Sequence, residues 1–99
     1  MNLPLFAREY TETDWQRVMR LSGNTAAGRA FELLLRSKAT AVELARPEIA
    51  GLDYRRRLTD LRVLGIPILN EPIEGKAFHR YSLPSVFVGE YWNRRRNTK

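Results

Sequence analysis

Residues 53–68 read Asp53-Tyr-Arg-Arg-Arg-Leu-Thr-Asp-Leu-Arg-Val-Leu-Gly-Ile-Pro-Ile68, and the spacing of leucine and arginine in this run decides the fold. On a helical wheel Tyr54, Leu58, Leu61 and Leu64 gather on one side, while Arg55, Arg56, Thr59, Arg62 and Val63 gather on the other. The pattern predicts an amphipathic helix with one side for a core and the other for a partner. Asp53 stands where an N-cap belongs, Gly65 where a left-handed stop belongs, and Pro67 ends any continuation. The helix over 53–65 therefore has two marked ends and leads directly into a strand.

Upstream of it, Thr25 caps a predicted helix over 26–37 whose Ala27, Ala30, Phe31, Leu34 and Leu35 follow the spacing of a buried stripe. Thr40-Ala-Val-Glu43 has capping-box spacing and starts a helix at Ala41, with Val42, Leu44, Ala45 and Ile49 as its apolar side. Pro47 kinks that helix or begins a separate turn, and Gly51-Leu52 turns the chain into the arginine-rich helix. Further back, Thr13-Asp-Trp-Gln16 predicts a short helix to about Ser22 that buries Trp15, Val18, Met19 and Leu21. Residues 1–12 read as an arm packed on the domain or on a dimer mate.

Downstream, 66–70 and 77–83 read as strands flanking a loop marked by Pro72 and Gly75, too long for a two-residue turn. Residues 86–96 predict a C-terminal helix in which Phe87 and Tyr91, or Val88 and Trp92, meet one turn apart, with Gly89 weakening it. The tail over 93–99 is expected to be mobile. The chain divides into an arm and short helix over 1–24, a central domain over 25–84 and a C-terminal helix with basic tail over 85–99.

Composition restricts the chemistry. A chain of 99 residues makes one domain, with no cysteine for disulfides or thiolate metal sites and only His79 among histidines. Its acids, such as Glu9, Glu12 and Asp14, fall near helix starts, where the helix dipole accounts for them, and no glycine-rich phosphate loop is present. A non-enzyme without metal or cofactor is expected. No apolar run approaches the length of a bilayer span, and the first residues lack a secretion-signal pattern. A soluble, cytoplasmic protein is the expectation. Seventeen Lys and Arg against eleven Asp and Glu give a net charge of +6, concentrated in the second half. That balance points to a polyanionic partner.

The order helix, helix, turn, helix, hairpin resembles a winged helix-turn-helix domain. More narrowly, Arg57-Leu-Thr-Asp-Leu-Arg62, Gly65-Ile-Pro-Ile68 and Arg80-Tyr-Ser-Leu83 resemble small helix-turn-helix proteins of bacteriophages and prophages, over about residues 26–84. Pro47 and the long 45–52 stretch depart from that pattern. The resemblance implies an α+β, mostly α fold: a three-helix core with a two-stranded wing, plus an extra N-terminal and a C-terminal helix. It also implies a third helix reading the major groove of double-stranded DNA, with the wing touching backbone nearby.

Residue chemistry points the same way. Arginine's planar fork matches guanine O6 and N7 together. Tyr54, Arg55, Arg56 and Thr59 are the candidates at base edges. Arg62, Lys38, Lys76 and Arg80 are the candidates for phosphates. Arg94, Arg95 and Arg96 either grip phosphate or form a solubilising end. Arg57, three residues before Asp60, reads as an ion-paired brace. The expected function is transcriptional regulation by a homodimer on two half-sites. The alternative is a winged-helix adaptor or phage-encoded inhibitor whose arginines meet an acidic host protein.

Overall fold

Three side-chain caps set the starts of the early helices in a computed structural model that describes residues 11–75 and 79–97. The Asp14 N–H donates to Thr11 Oγ1 at 3.2 Å while the Thr11 N–H donates to the Asp14 carboxylate at 2.9 Å, a reciprocal capping box. Helix α1 accordingly spans Glu12–Met19. This corrects the expected box at Thr13 and Gln16 and the end near Ser22. An aspartate at the third helical position reaches back to Thr11, so the helix begins early and Thr13 falls inside its first turn. Thr25 caps α2, Ala26–Arg36, by accepting the Gly28 N–H at 3.0 Å. Thr40 and Glu43 form the expected box, at 3.2 and 2.8 Å, at the start of α3, Ala41–Leu44.

Helix α3 is a single turn. The chain leaves helical geometry before Pro47, turns through 46–50, passes Gly51 at a φ of +72° and makes a 3-10 turn, Gly51–Asp53. Val42, expected on its apolar side, is exposed, whereas Leu44 is buried. Helix α4, Tyr54–Val63, follows. Asp53 does not cap it through its side chain: a ψ of 17° departs from the extended backbone that an N-cap uses, and the 3-10 turn feeds the helix instead. The other end is as read. Gly65 has a φ of +89°, its N–H donates to the Arg62 carbonyl at 2.8 Å, and the Ile66 N–H donates to the Leu61 carbonyl at 3.2 Å. These two bonds make a Schellman stop, which needs the left-handed conformation glycine adopts without strain.

The sheet has three antiparallel strands in the order β1-β3-β2: β1 is Ala39–Thr40, β2 is Leu69–Pro72 and β3 is His79–Ser82. Thr40 and Glu71 both lie opposite Arg80, and Leu69 lies opposite Ser82. Strand β1 was not expected, because two residues show no alternation and the capping box begins beside them. The strand read over 66–70 both starts and ends later, since Ile66 and Ile68 run inward as a buried lead-in, while Glu71 and Pro72, expected in the loop, lie opposite Arg80 and His79. The expected start of the next strand at Ala77 lies outside the described residues. Helix α5, Ser85–Asn97, closes the chain, so 93–97 continue a helix and are not the separate mobile tail expected.

The architecture is α+β, mostly helical, with one small antiparallel sheet. A single core joins Trp15 and Val18 of α1, Phe31 and Leu34 of α2, Leu58 and Leu61 of α4, and Phe87 and Tyr91 of α5. Rings lock the terminal helices in place: Phe87 stacks on Trp15 with centroids 5.2 Å apart, and Phe31 meets Phe87 and Tyr91 edge-on at 6.4 and 5.3 Å. No helix among the described residues is long and apolar enough to cross a bilayer.

One glycine is set by packing. A Cβ on Gly28 would stand 1.7 Å from the Ser22 carbonyl oxygen, so the loop before α2 must move if any side chain is added. Gly28→Ala is therefore expected to destabilise the protein by about 1–3 kcal/mol or more. Urea denaturation followed by circular dichroism checks this, and an unchanged midpoint would contradict the close approach.

Candidate nucleic-acid interface

Helix α4 presents its arginines because Leu58 and Leu61, both buried, hold the opposite side on α2. Arg55, Arg56, Thr59, Arg62 and Val63 all fall on the exposed side, the grouping that the wheel predicts. Arg56 and Arg62 form no ion pair with any described residue. The Arg55 guanidinium lies 5.7 Å from the centroid of the Tyr54 ring. Tyr54 itself is half-buried and packs against the core, so it sits at the margin of the exposed face. The Thr59 hydroxyl donates to the Arg55 carbonyl at 3.1 Å, which commits its proton and leaves its oxygen able only to accept. Leu52 and Val63 add apolar surface at the two ends of the helix, 93% and 79% exposed.

The other expected contacts are dispersed. Lys38 Nζ lies 3.4 Å from Glu71 Oε1 in an exposed pair, a contact that screening makes weak. Arg80 is half-buried in the central strand, opposite Glu71 and Thr40. Lys76 lies outside the described residues. His79 is exposed and its Nδ1 meets Asn70 Oδ1 at 2.6 Å.

The C-terminal arginines divide. Arg94 bonds Glu12 at 2.6 Å and Glu90 at 2.7 Å and lies over the Trp15 ring at 5.0 Å. The Glu12 bond, first of all, raises the Arg94 pKa further against a smaller opposing effect of desolvation. A pKa raised on folding contributes stability below its unfolded value, so Arg94 stays charged and adds no pH dependence near neutrality. Arg95 lies over Tyr91 at 5.4 Å and reaches the Met19 carbonyl at 3.5 Å, a favourable place for a cation at a helix C-terminus. Arg96 is exposed. Arg57 braces α4 as read, with Nε 3.4 Å from Asp60 Oδ2; that nitrogen is buried and the contact is an ion pair without hydrogen-bond geometry.

Sequence reasoning missed Arg29. Its Nε donates to the Ile49 carbonyl at 2.8 Å and its Nη1 to the Gly23 carbonyl at 3.2 Å. It thereby ties α2 to the connection that delivers α4. No local signal marks it, since its main partner is twenty residues away in an irregular turn.

The arrangement is a convex cationic helix face on a rigid support, suited to a polyanion and to planar, bidentate recognition. Compared with known protein families, curated proteins and solved structures, the chain matches none.

Two outcomes follow from the braces. Arg29→Met keeps the side-chain stem but leaves the Ile49 carbonyl without its donor, and is expected to cost about 1–2 kcal/mol in chemical denaturation. A double-mutant cycle between Arg94 and Glu12 is expected to give a coupling of about 0.5 kcal/mol that fades with added salt. A cycle showing no coupling at low salt would mean that the pair does not hold α5 to α1.

Proposed function

We propose that this protein binds double-stranded DNA in the manner of a winged helix-turn-helix regulator, with α4 in the major groove and the β2–β3 hairpin against the adjacent backbone. The observation that carries the reading is the face of α4: Arg56 and Arg62 are exposed without ion pairs to described residues, while Arg57 and Arg94 of the same chain are paired. Cations left unneutralised side by side repel each other, and a polyanion relieves that repulsion.

Within this reading α2, α3 and α4 form the three-helix core, although α3 is one turn and the 46–53 connection replaces a longer second helix. Arg55 and Arg56 are positioned for guanine edges. Thr59, its hydroxyl proton already committed, offers an acceptor to an amino group or its methyl to thymine. Arg62, Arg80, Lys38 and Lys76 serve phosphates, and Arg96 is the terminal arginine best placed to join them. A homodimer on paired half-sites, acting in the cytoplasm of a bacterium or on a phage genome, completes the proposal.

An acidic protein is the competing partner, and the exposed Leu52 favours it, since apolar surface beside cations also suits a protein interface. Selection of binding sites from random duplexes, followed by titration at two salt concentrations, separates the two. Specific DNA binding is expected with a log-log salt slope of roughly −4 to −7 per protomer for about five to eight phosphates. Arg56→Ala is expected to cost about 1–3 kcal/mol on the selected site and to relax preference at one position. Arg62→Ala is expected to weaken all sequences alike and reduce the slope by about 1. If both variants bind duplex as the parent does, the reading is wrong.

A further inference from the structure

Ser82 is only 8% exposed, yet its hydroxyl has no hydrogen-bond partner among the described residues. A hydroxyl withdrawn from water in this way costs free energy unless something else bonds it. The sheet sets its direction. On β3 Tyr81 turns into the core, so Ser82 turns to the opposite side, where Leu69 of β2 stands across from it. Both side chains line a groove of about 660 Å³ bounded by β2, the end of α2 and the start of α5.

The start of α5 brings further donors to the same groove. Pro84, the residue before this 13-residue helix, has no side-chain oxygen with which to cap it, and the first turn holds no acid. The Ser85 and Val86 N–H groups meet no acceptor among the described residues. The positive end of the helix is therefore open, and Ser85 lies in the groove wall. The charged side chains of the wall are Arg36, Lys38 and Glu71, with Glu71 engaged by Lys38 at 3.4 Å. Cations outnumber the acid, and Arg36 offsets the carbonyl end of α2, which by itself repels an anion. The rest of the wall is mainly apolar, from Leu34 and Leu35 of α2, Leu69 and Val88.

We propose that this groove binds a small amphipathic carboxylate, with its oxygens on the Ser82 hydroxyl and the Ser85 end of α5 and its hydrocarbon part along Leu34, Leu35, Leu69 and Val88. A buried hydroxyl, a helix N-terminus and a net positive wall together favour an anion over a cation. A carboxylate has two oxygens, so it can accept from Ser82 and from the helix at once. The apolar walls require more than a bare inorganic anion, since each methylene taken from water adds to affinity. The volume falls within the range of small-molecule sites. An anionic lipid shares this chemistry, and vesicles therefore form one arm of the test. The proposal stands apart from the DNA reading, because it is measured without DNA.

Titration of the full chain with decanoate, followed by amide chemical shifts, tests it. Decanoate is expected to bind with a Kd of roughly tens to hundreds of micromolar and to move the Ser82, Ser85 and Val88 amides while leaving those of Arg55, Arg56 and Arg62 in place. Decanol and decyltrimethylammonium are expected to bind about tenfold more weakly or worse, and acetate not to bind measurably. Ser82→Ala removes no intramolecular hydrogen bond, so it is expected to leave the unfolding midpoint unchanged or higher while weakening decanoate about fivefold or more. Leu69→Glu, at a half-exposed edge position, is expected to abolish binding in a folded chain. Equal binding of the three decyl probes, or Ser82→Ala binding as the parent does, overturns the proposal. So does the absence of decanoate binding, whether or not the chain then binds phosphatidylglycerol vesicles.

Discussion

Burial of Phe31 against the rings of α5 is the constraint on which the rest depends. Phe31 is fully buried and receives the edges of Phe87 and Tyr91, and Phe87 in turn stacks on Trp15. Each such ring pair adds about 0.5–1.5 kcal/mol beyond the area it removes from water, whereas an exposed ion pair such as Arg94 with Glu12 adds less than about 1 kcal/mol. The aromatic cluster therefore holds the terminal helices, and Arg94 sets their registry. With α1 and α5 sealing the core through these rings, α4 is required to contribute only Leu58, Leu61 and its half-buried neighbours.

That economy leaves most of α4 free for charge. Its ends are fixed without charged side chains, by the 3-10 turn at Gly51–Asp53 and the Schellman bonds at Gly65. Arginines on its outward face are thus not needed as caps, and Arg55, Arg56 and Arg62 have no acid to meet among the described residues. The same residue type does the opposite work elsewhere. Arg29 bonds one carbonyl in the loop before α2 and one in the connection before α4, Arg57 pairs with Asp60, and Arg94 pairs with two glutamates. Arginine suits both tasks because its fork satisfies several acceptors at once when buried or paired, yet stays weakly hydrated when exposed.

Signals that are local in the chain were legible. The Thr40–Glu43 box, the Thr25 cap, the glycine stop at Gly65 and the two faces of α4 each depend on residues within one turn of each other, and each stands where the spacing places it. Errors arose where two local signals competed or where the partner was distant. Thr11 and Thr13 both precede plausible capping partners, and the aspartate at 14 decides for Thr11. Asp53 is a good capping residue by type, but the backbone that Gly51 introduces denies it the extended geometry. Strand β1 exists only because β3 lies beside it, and Arg29 and Arg94 gain their roles from residues twenty and eighty-two positions away. The outward face of the site was visible in the sequence; which arginines are free to use it was not.

The two exposed faces are built on different physics. On α4 the cations are uncompensated, so any partner must be anionic, and attraction to it weakens as salt shortens the reach of the field. On α5 Val86 and Trp92 stand exposed beside Gly89, and covering them would gain free energy by removing apolar surface from water, which salt does not screen. A face of uniform positive charge is repelled by its own copy. The excess behind the net charge of +6 is shared between the two helices, since α4 carries four arginines against Asp60 and α5 three against Glu90; what separates them is that the α5 arginines are partly engaged, Arg94 by Glu12 and Glu90 and Arg95 by the Tyr91 ring.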